Sequence, residues 1–369
     1  MANPNHYPQA KRQLFLGPSG CFVGDLMKTI DLRSDTVTLP TAEMLEAIKQ
    51  AKLGDDVMEE DPTVIALENL AAKRFGKESA LLVPSGTMAN LVSVMTHCNR
   101  GDEMICDANA HIYYYEVGAV SAIAGVIPRL VEGKRGIFNV DQLESAFRGH
   151  ELHFPNPSLL EIENTHNRGG GSVWPLADIK AACDFAHDNK LKVHMDGARV
   201  FNASVASGIS VNKYAEQVDS LMFCLSKGLS CPVGSLIVGN KDFIERARKN
   251  RKMVGGGMRQ AGVIAAPGII ALDKMVDRLR DDHDNAKLMA NGLANEIGLK
   301  LDPRSVQTNI VVADVSPMTA DEFIAFATEQ GVLALSFGKY AVRFVTHRGI
   351  EKEHIEEALA RFSKLKLSS

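Results

Sequence analysis

From residue 41 onward, segments of helical period alternate with short runs of apolar residues. Met44, Leu45 and Ile48 share one face of a helix expected over residues 41–52, with Thr41 as its cap after Pro40. Pro62-Thr63 opens a second helix, with Val64, Leu67, Leu70 and Ala71 on one side and Gly76 past its end. Strand candidates follow at residues 80–84, 103–106, 158–163, 191–195 and 220–225. Residues 235–238 read as a hairpin partner or an edge strand. Helical stretches separate them, up to Thr96 and again over residues 176–189. Short buried strands alternating with helices predict an α/β fold around a largely parallel sheet.

The pattern changes near residue 261. Residues 261–298 read as nearly continuous helix joining two parts of the molecule. An alternating segment (308–313), a helix (319–330), a strand (340–345) and a last helix (350–365) then suggest a small α+β domain. The expected division is a leader or arm over 1–26, an N-terminal segment and large domain over 27–275, and a small C-terminal domain over 276–369.

Composition narrows the partners. A net charge of −4 leaves no broad basic field for nucleic acid. No apolar run is long enough for a membrane span. The cysteines at 21, 98, 106, 183, 224 and 231 form no C-x-x-C pair, and a chain of 369 residues needs no staples, so they read as reduced thiols of a cytoplasmic protein. Lys11 and Arg12 precede a short apolar stretch broken by Gly17-Pro18, too interrupted for a secretory signal. A poorly ordered arm or a transit peptide both suit that segment, and Met27 looks like a natural start.

Candidate chemistry sits at strand ends. Asp196-Gly-Ala-Arg199 follows one strand and Ser226-Lys-Gly228 another. In a parallel sheet both lie at carboxyl ends, where such sheets place ligands. A lysine, a carboxylate and a phosphate cradle there are what pyridoxal phosphate requires. Read alone, Asp196 is equally a helix cap or a partner of Arg199, and Lys227 a surface residue in a Gly-rich turn. Ser85, Gly86 and Thr87 form a strand-to-helix turn whose N–H groups could hold phosphate or simply be capped. His111 could stack on a flat ring or cap a helix. His166 precedes Gly169-Gly-Gly171, a backbone suited to close approach. Arg259, after Gly255-Gly-Gly-Met258, could bind an anion. Arg343 opposes Val342 and Phe344 in face, toward solvent or a polar cleft.

The chain resembles the low-specificity L-threonine aldolases, pyridoxal-phosphate enzymes of the aspartate-aminotransferase-like type I class. The stretches that carry the resemblance run in family order. They are Asp31-Leu-Arg-Ser-Asp-Thr-Val-Thr38, Gly54-Asp-Asp-Val57, Glu60-Asp-Pro-Thr63, Ser85-Gly-Thr-Met-Ala-Asn90, Glu163-Asn-Thr-His166, His194-Met-Asp-Gly-Ala-Arg199, Leu225-Ser-Lys-Gly228, Gly255-Gly-Gly-Met-Arg-Gln260 and Arg343-Phe-Val-Thr-His347. The resemblance implies a type I transferase-like fold with a mainly parallel seven-stranded large domain and a small α+β domain. It implies that Lys227, beside Ser226, bonds the cofactor, that Asp196 meets the pyridine nitrogen and that His111 stacks on the ring. Ser85, Gly86 and Thr87 would hold the phosphate, with Arg259 of a neighbouring subunit. His166 would approach the substrate β-hydroxyl, directly or through a water. Ser34, Arg199 and Arg343 would bind the amino-acid carboxylate, Arg199 also reaching the cofactor's 3-oxygen. The implied reaction splits L-threonine or L-allo-threonine into glycine and acetaldehyde, without a metal, in a tetramer of paired dimers. Another lyase of this fold, β-eliminating or acting on phenylserine or hydroxyaspartate, is the alternative. The family usually carries Tyr-Gly where this chain has Met58-Glu59, in a loop near the entrance.

Overall fold

The computed structural model describes residues 29–365. The reading of residues 1–26, and of Cys21, lies outside them. A short strand, Ile30–Asp31 (β1), opens the described chain. The large sheet is built from Ser79–Val83 (β2), Glu103–Asp107 (β3), Ile127–Val131 (β4), Pro157–Glu163 (β5), Lys192–Asp196 (β6), Ser220–Cys224 (β7) and Ser235–Gly239 (β8). Its order is β2-β8-β7-β6-β5-β3-β4, parallel except for β8, which runs antiparallel to both neighbours. The architecture is therefore α/β with a mostly parallel seven-stranded sheet. β3, β7 and β8 are buried along their whole length, as strands covered on both faces must be.

Of the two readings of residues 235–238, hairpin partner holds, since β8 pairs antiparallel with the preceding β7; edge strand does not, because β2 pairs on its other side. The expected single helix over 261–298 is broken into Gly262–Lys274, Leu279–Gly292 and a π-turn at Leu293–Ile297. The first break comes where Met275, Val276 and Leu279 still pack in the large core. The second helix then carries Ala286, Met289 and Ala290 into another apolar cluster.

That second cluster surrounds Ile310–Asp314 (β9), Val332–Leu333 (β10), Leu335–Ser336 (β11) and Ala341–Val345 (β12). β11, β12 and β9 form an antiparallel sheet, and β1 pairs in parallel with β10. Ile30 and Leu32 thus pack beside Val342, Phe344 and Phe362. The segment that follows, Ser34 to Thr38, is consequently strung across to the carboxyl ends of the large sheet, where Thr38 Oγ1 donates to the Lys227 carbonyl at 3.0 Å. The five cysteines among the described residues are unpaired. No helix of the described residues is long and apolar enough to cross a membrane.

Candidate active site

Asp196 ends β6 and is almost wholly buried. Its Oδ1 accepts the Ala198 N–H at 2.9 Å and its Oδ2 accepts Asn90 Nδ2 at 2.7 Å. Burial alone would raise its pKa, but His111, Lys227 and these donors hold the carboxyl below its usual value. The second Asn90 amide hydrogen goes to Glu116 Oε1 at 2.8 Å. With both hydrogens on carboxylates, Asn90 Oδ1 must accept, so His194 Nε2, 3.1 Å away, is the donor. His194 Nδ1 then accepts from Ser220 Oγ at 2.8 Å, and Ser220 accepts from His97 Nε2 at 2.7 Å. Burial pushes His194 down to about 4 and His97 to about 3, keeping both neutral. The result is a one-directional hydrogen-bond chain that ends on Asp196.

Lys227 and Ser226 lie in the turn after β7, both partly exposed. The Lys227 carbonyl also accepts the Ser230 N–H at 2.8 Å, so the turn is tied on both sides. The Lys227 ammonium helps lower the pKa of both Asp196 and Asp35.

Ser85 caps the helix Gly86–His97, its Oγ accepting the Met88 N–H at 3.2 Å. The N–H groups of Gly86 and Thr87 precede the first intrahelical acceptors and are left without one in the helix. Gly86 is required there, since a Cβ would sit 2.9 Å from Cys224 Sγ.

His111 is half-buried, with Nδ1 2.9 Å from Glu116 Oε1 and its backbone N–H donating to Glu163 Oε2 at 2.8 Å. Burial lowers its pKa, but Glu116 and Asp196 outweigh this and raise it. His111, Glu116 and Asp196 present ligand atoms within 4.8 Å of one another. The Asn90 amide bridges the two carboxylates, donating one hydrogen to each.

His166 is buried; its Nδ1 is hydrogen-bonded and its Nε2 faces two carboxylates without a hydrogen bond. Nδ1 accepts the Gly169 N–H at 2.9 Å, which places the proton on Nε2. Nε2 faces Asp107 Oδ1 at 3.3 Å and Glu163 Oε2 at 3.5 Å. Burial opposes protonation, yet those two carboxylates raise the pKa.

Arg199, three residues after Asp196, donates Nε and Nη2 to Asp35, both at 2.7 Å. Burial works against the Asp35 charge, but Arg199 holds its carboxyl well below the usual range. Ser34 caps the short turn 35–37 and accepts from Thr36. Arg343 points into a polar cleft, not to solvent: Nη1 meets Asn167 Oδ1 at 2.9 Å and Nη2 the Arg33 carbonyl at 3.2 Å. Arg259 stands apart, exposed and paired with Asp55 of its own chain at 2.8 Å. Met58 is exposed beside it, and Glu59 takes a φ of 59°, a conformation that favours the glycine usual at this position in the family it resembles.

A family model described as beta-eliminating lyase matches residues 31–316. The chain is 43% identical over 334 residues to the low specificity L-threonine aldolase of Escherichia coli (strain K12), covering 90% of this chain and 98% of that protein. The chain belongs to the low-specificity L-threonine aldolases. It is also 42% identical over 346 residues to the probable low-specificity L-threonine aldolase 2 of Arabidopsis thaliana, covering 92% of this chain and 98% of that one. The fold is likewise that of the threonine aldolase of Leishmania major, with a TM-score of 0.79 at 16% identity over 91% of this chain and 99% of that one. Several residues of this aldolase site escaped the sequence reading. Asn90, His194 and Asp35 sit inside motifs that were recognised, yet only the fold shows their contacts with Asp196 and Arg199. Glu163 likewise opens a recognised motif, whereas Glu116 and Asp107 carried no signal beyond their nearness to His111.

Proposed function

We propose that the chain cleaves L-threonine, L-allo-threonine and related β-hydroxy-α-amino acids to glycine and an aldehyde, using pyridoxal phosphate. The observation that carries this is the cluster of Lys227, ionised Asp196 and the Gly86–Thr87 N–H cradle at adjoining sheet ends, in a chain of this family. The donor set fits the cofactor: an amine, a carboxylate kept charged by Asn90 and His111, and two helix N–H groups where a Cβ would collide. Bound pyridoxal phosphate supplies an electron sink for the bond broken at the substrate Cα.

Lys227 would hold the cofactor through Nζ, and Asp196 would keep a proton on the pyridine nitrogen. Gly86 and Thr87 N–H would bind the phosphate, with Ser85 and Ser226 beside them and Arg259 reaching across from a neighbouring subunit. His111, oriented by Glu116, would lie against the ring. Ser34, Arg199 through its remaining Nη1, and Arg343 would bind the carboxylate and so fix which bond at Cα is broken. With Nδ1 accepting the Gly169 N–H, His166 Nε2 carries a proton and has no lone pair to take another, which favours a water oriented by that Nε2–H as the group taking the β-hydroxyl proton. The assembly would be a cytoplasmic homotetramer of paired dimers.

The test is a product assay on the purified chain with added cofactor. L-threonine should yield equal amounts of glycine and acetaldehyde, and aldehyde release across threonine, allo-threonine and phenylserine gives the side-chain preference. Ammonia with 2-oxobutanoate in place of these would mark a β-eliminating enzyme.

A further inference from the structure

A cavity of about 290 Å³ opens between the turn at residues 134–137, the glycine loop after His166, and the sheet of β9, β11 and β12. Arg135 and Arg168 line its polar side; Val306, Val312 and Phe337 are on its apolar side. Neither arginine has an ion-pair partner among the described residues. Arg135 is half-buried and spends only Nε, on the Gly169 carbonyl at 2.8 Å. Burial lowers its pKa and no neighbouring acid opposes the effect. Arg168 bonds only neutral groups, Asn109 Oδ1 at 3.1 Å and Tyr115 Oη at 3.0 Å, while resting 4.2 Å from the Tyr114 ring centroid and 5.0 Å from that of Phe337. Two partly desolvated guanidinium groups with no acid between them are costly unless an anion joins them.

The backbone supports the same reading independently. Lys134 and Ile137 exchange two hydrogen bonds around a turn whose central residues both have positive φ, 57° at Arg135 and 79° at Gly136. Asn or Gly is the usual choice at the first of these positions, so arginine is kept there against its conformational preference. Its side chain is what the position retains.

We propose that Arg135 and Arg168 form a binding site for a small organic carboxylate, separate from the amino-acid carboxylate site at Arg343. The two guanidinium groups take the carboxylate, and Val306, Val312 and Phe337 take a short apolar body. Both walls lean on the active centre: the Gly136 backbone abuts the His166 ring, and the Gly169 N–H donates to His166 Nδ1. Occupancy therefore bears on His166. The site stands whichever reaction its neighbour performs.

The test is calorimetric titration of the intact protein with propionate, in saturating glycine to fill the neighbouring carboxylate site. One propionate per chain is expected, with inorganic phosphate at least tenfold weaker because it cannot use the apolar wall. Arg135→Asn and Arg168→Gln should each weaken propionate at least tenfold. Arg135→Asn, being at ease in the left-handed turn, should hold or raise the melting temperature while losing the ligand, a pairing that a merely structural arginine would not give. No binding to the parent protein, phosphate binding as tightly as propionate, or undiminished binding in the folded double variant would overturn the proposal.

Discussion

At the scale of single residues, the site is defined by which hydrogen each nitrogen carries. His166 shows this most clearly, because the Gly169 N–H consumes Nδ1 and the carboxylates of Asp107 and Glu163 face Nε2. An asparagine can accept the same N–H, so His166→Asn should keep turnover within about tenfold. A loss on the scale of an obligatory general base, about 10²–10⁴-fold, would mean that the imidazole takes the proton itself. His194 gives a stability prediction. Its folded pKa of about 4 lies below the 6.5 of a free histidine, so the unfolded chain binds the extra proton. Stability is therefore complete above pH 6.5 and falls as pH drops from 6.5 towards 4, by up to about 3 kcal/mol from this group. Melting followed between pH 7 and pH 5 should show the fall, and His194→Gln should lessen it, with His97 keeping its own share. An unchanged slope in that variant would assign the proton elsewhere. The motif containing His194 is readable in the sequence. Its hydrogen-bond chain to Asp196 is not, because Asn90 and Ser220 arrive from a helix and a strand distant in sequence.

Secondary-structure elements were legible where one periodicity governed them. The helices over Ala42–Gln50 and Pro62–Phe75 follow their apolar spacing and their Thr41, Asp61 and Gly76 caps. β4 was missed because it is an edge strand with Ile127 and Leu130 exposed and Pro128 within it, so neither alternation nor a buried run marks it. The break after Lys274 was missed because Met275, Val276 and Leu279 stay apolar in a pattern that reads as one helix, and what divides it is the change from one core to the other. The turn over residues 134–137 drew no reading from the sequence, yet it covers the His166 ring. A Cβ on Gly136 would lie 2.1 Å from His166 Cγ, at a φ of 79°. Gly136→Ala should therefore cost about 1–3 kcal/mol of stability and lower turnover by displacing the ring. A variant with the parent melting temperature and rate would show that the turn has room to move.

For the whole molecule, the two cores matter because the carboxylate-binding candidates come from both. Arg199 stands on the large sheet, Arg343 on β12, and Asp35 accepts from both Arg199 and Asn309. The type I architecture was visible in the sequence because its motifs lie at strand ends in order. The role of Ile30 and Leu32 in the second core was hidden, since it depends on β1 pairing with β10 near the other end of the chain. Arg259 is the residue whose expected role needs a neighbour, as among the described residues its acidic partner is Asp55. Light scattering should give a mass about four times the 40.1 kDa chain, and Arg259→Ala should weaken cofactor binding about tenfold; a monomer with full cofactor affinity would remove Arg259 from the site. The central claim, that Lys227 is the residue bonded to pyridoxal phosphate, has a direct measurement. The holoprotein is reduced with borohydride, digested, and its peptides are weighed by mass spectrometry. A single pyridoxyl adduct on Lys227 is the predicted result; an adduct on another lysine, or none, would contradict it.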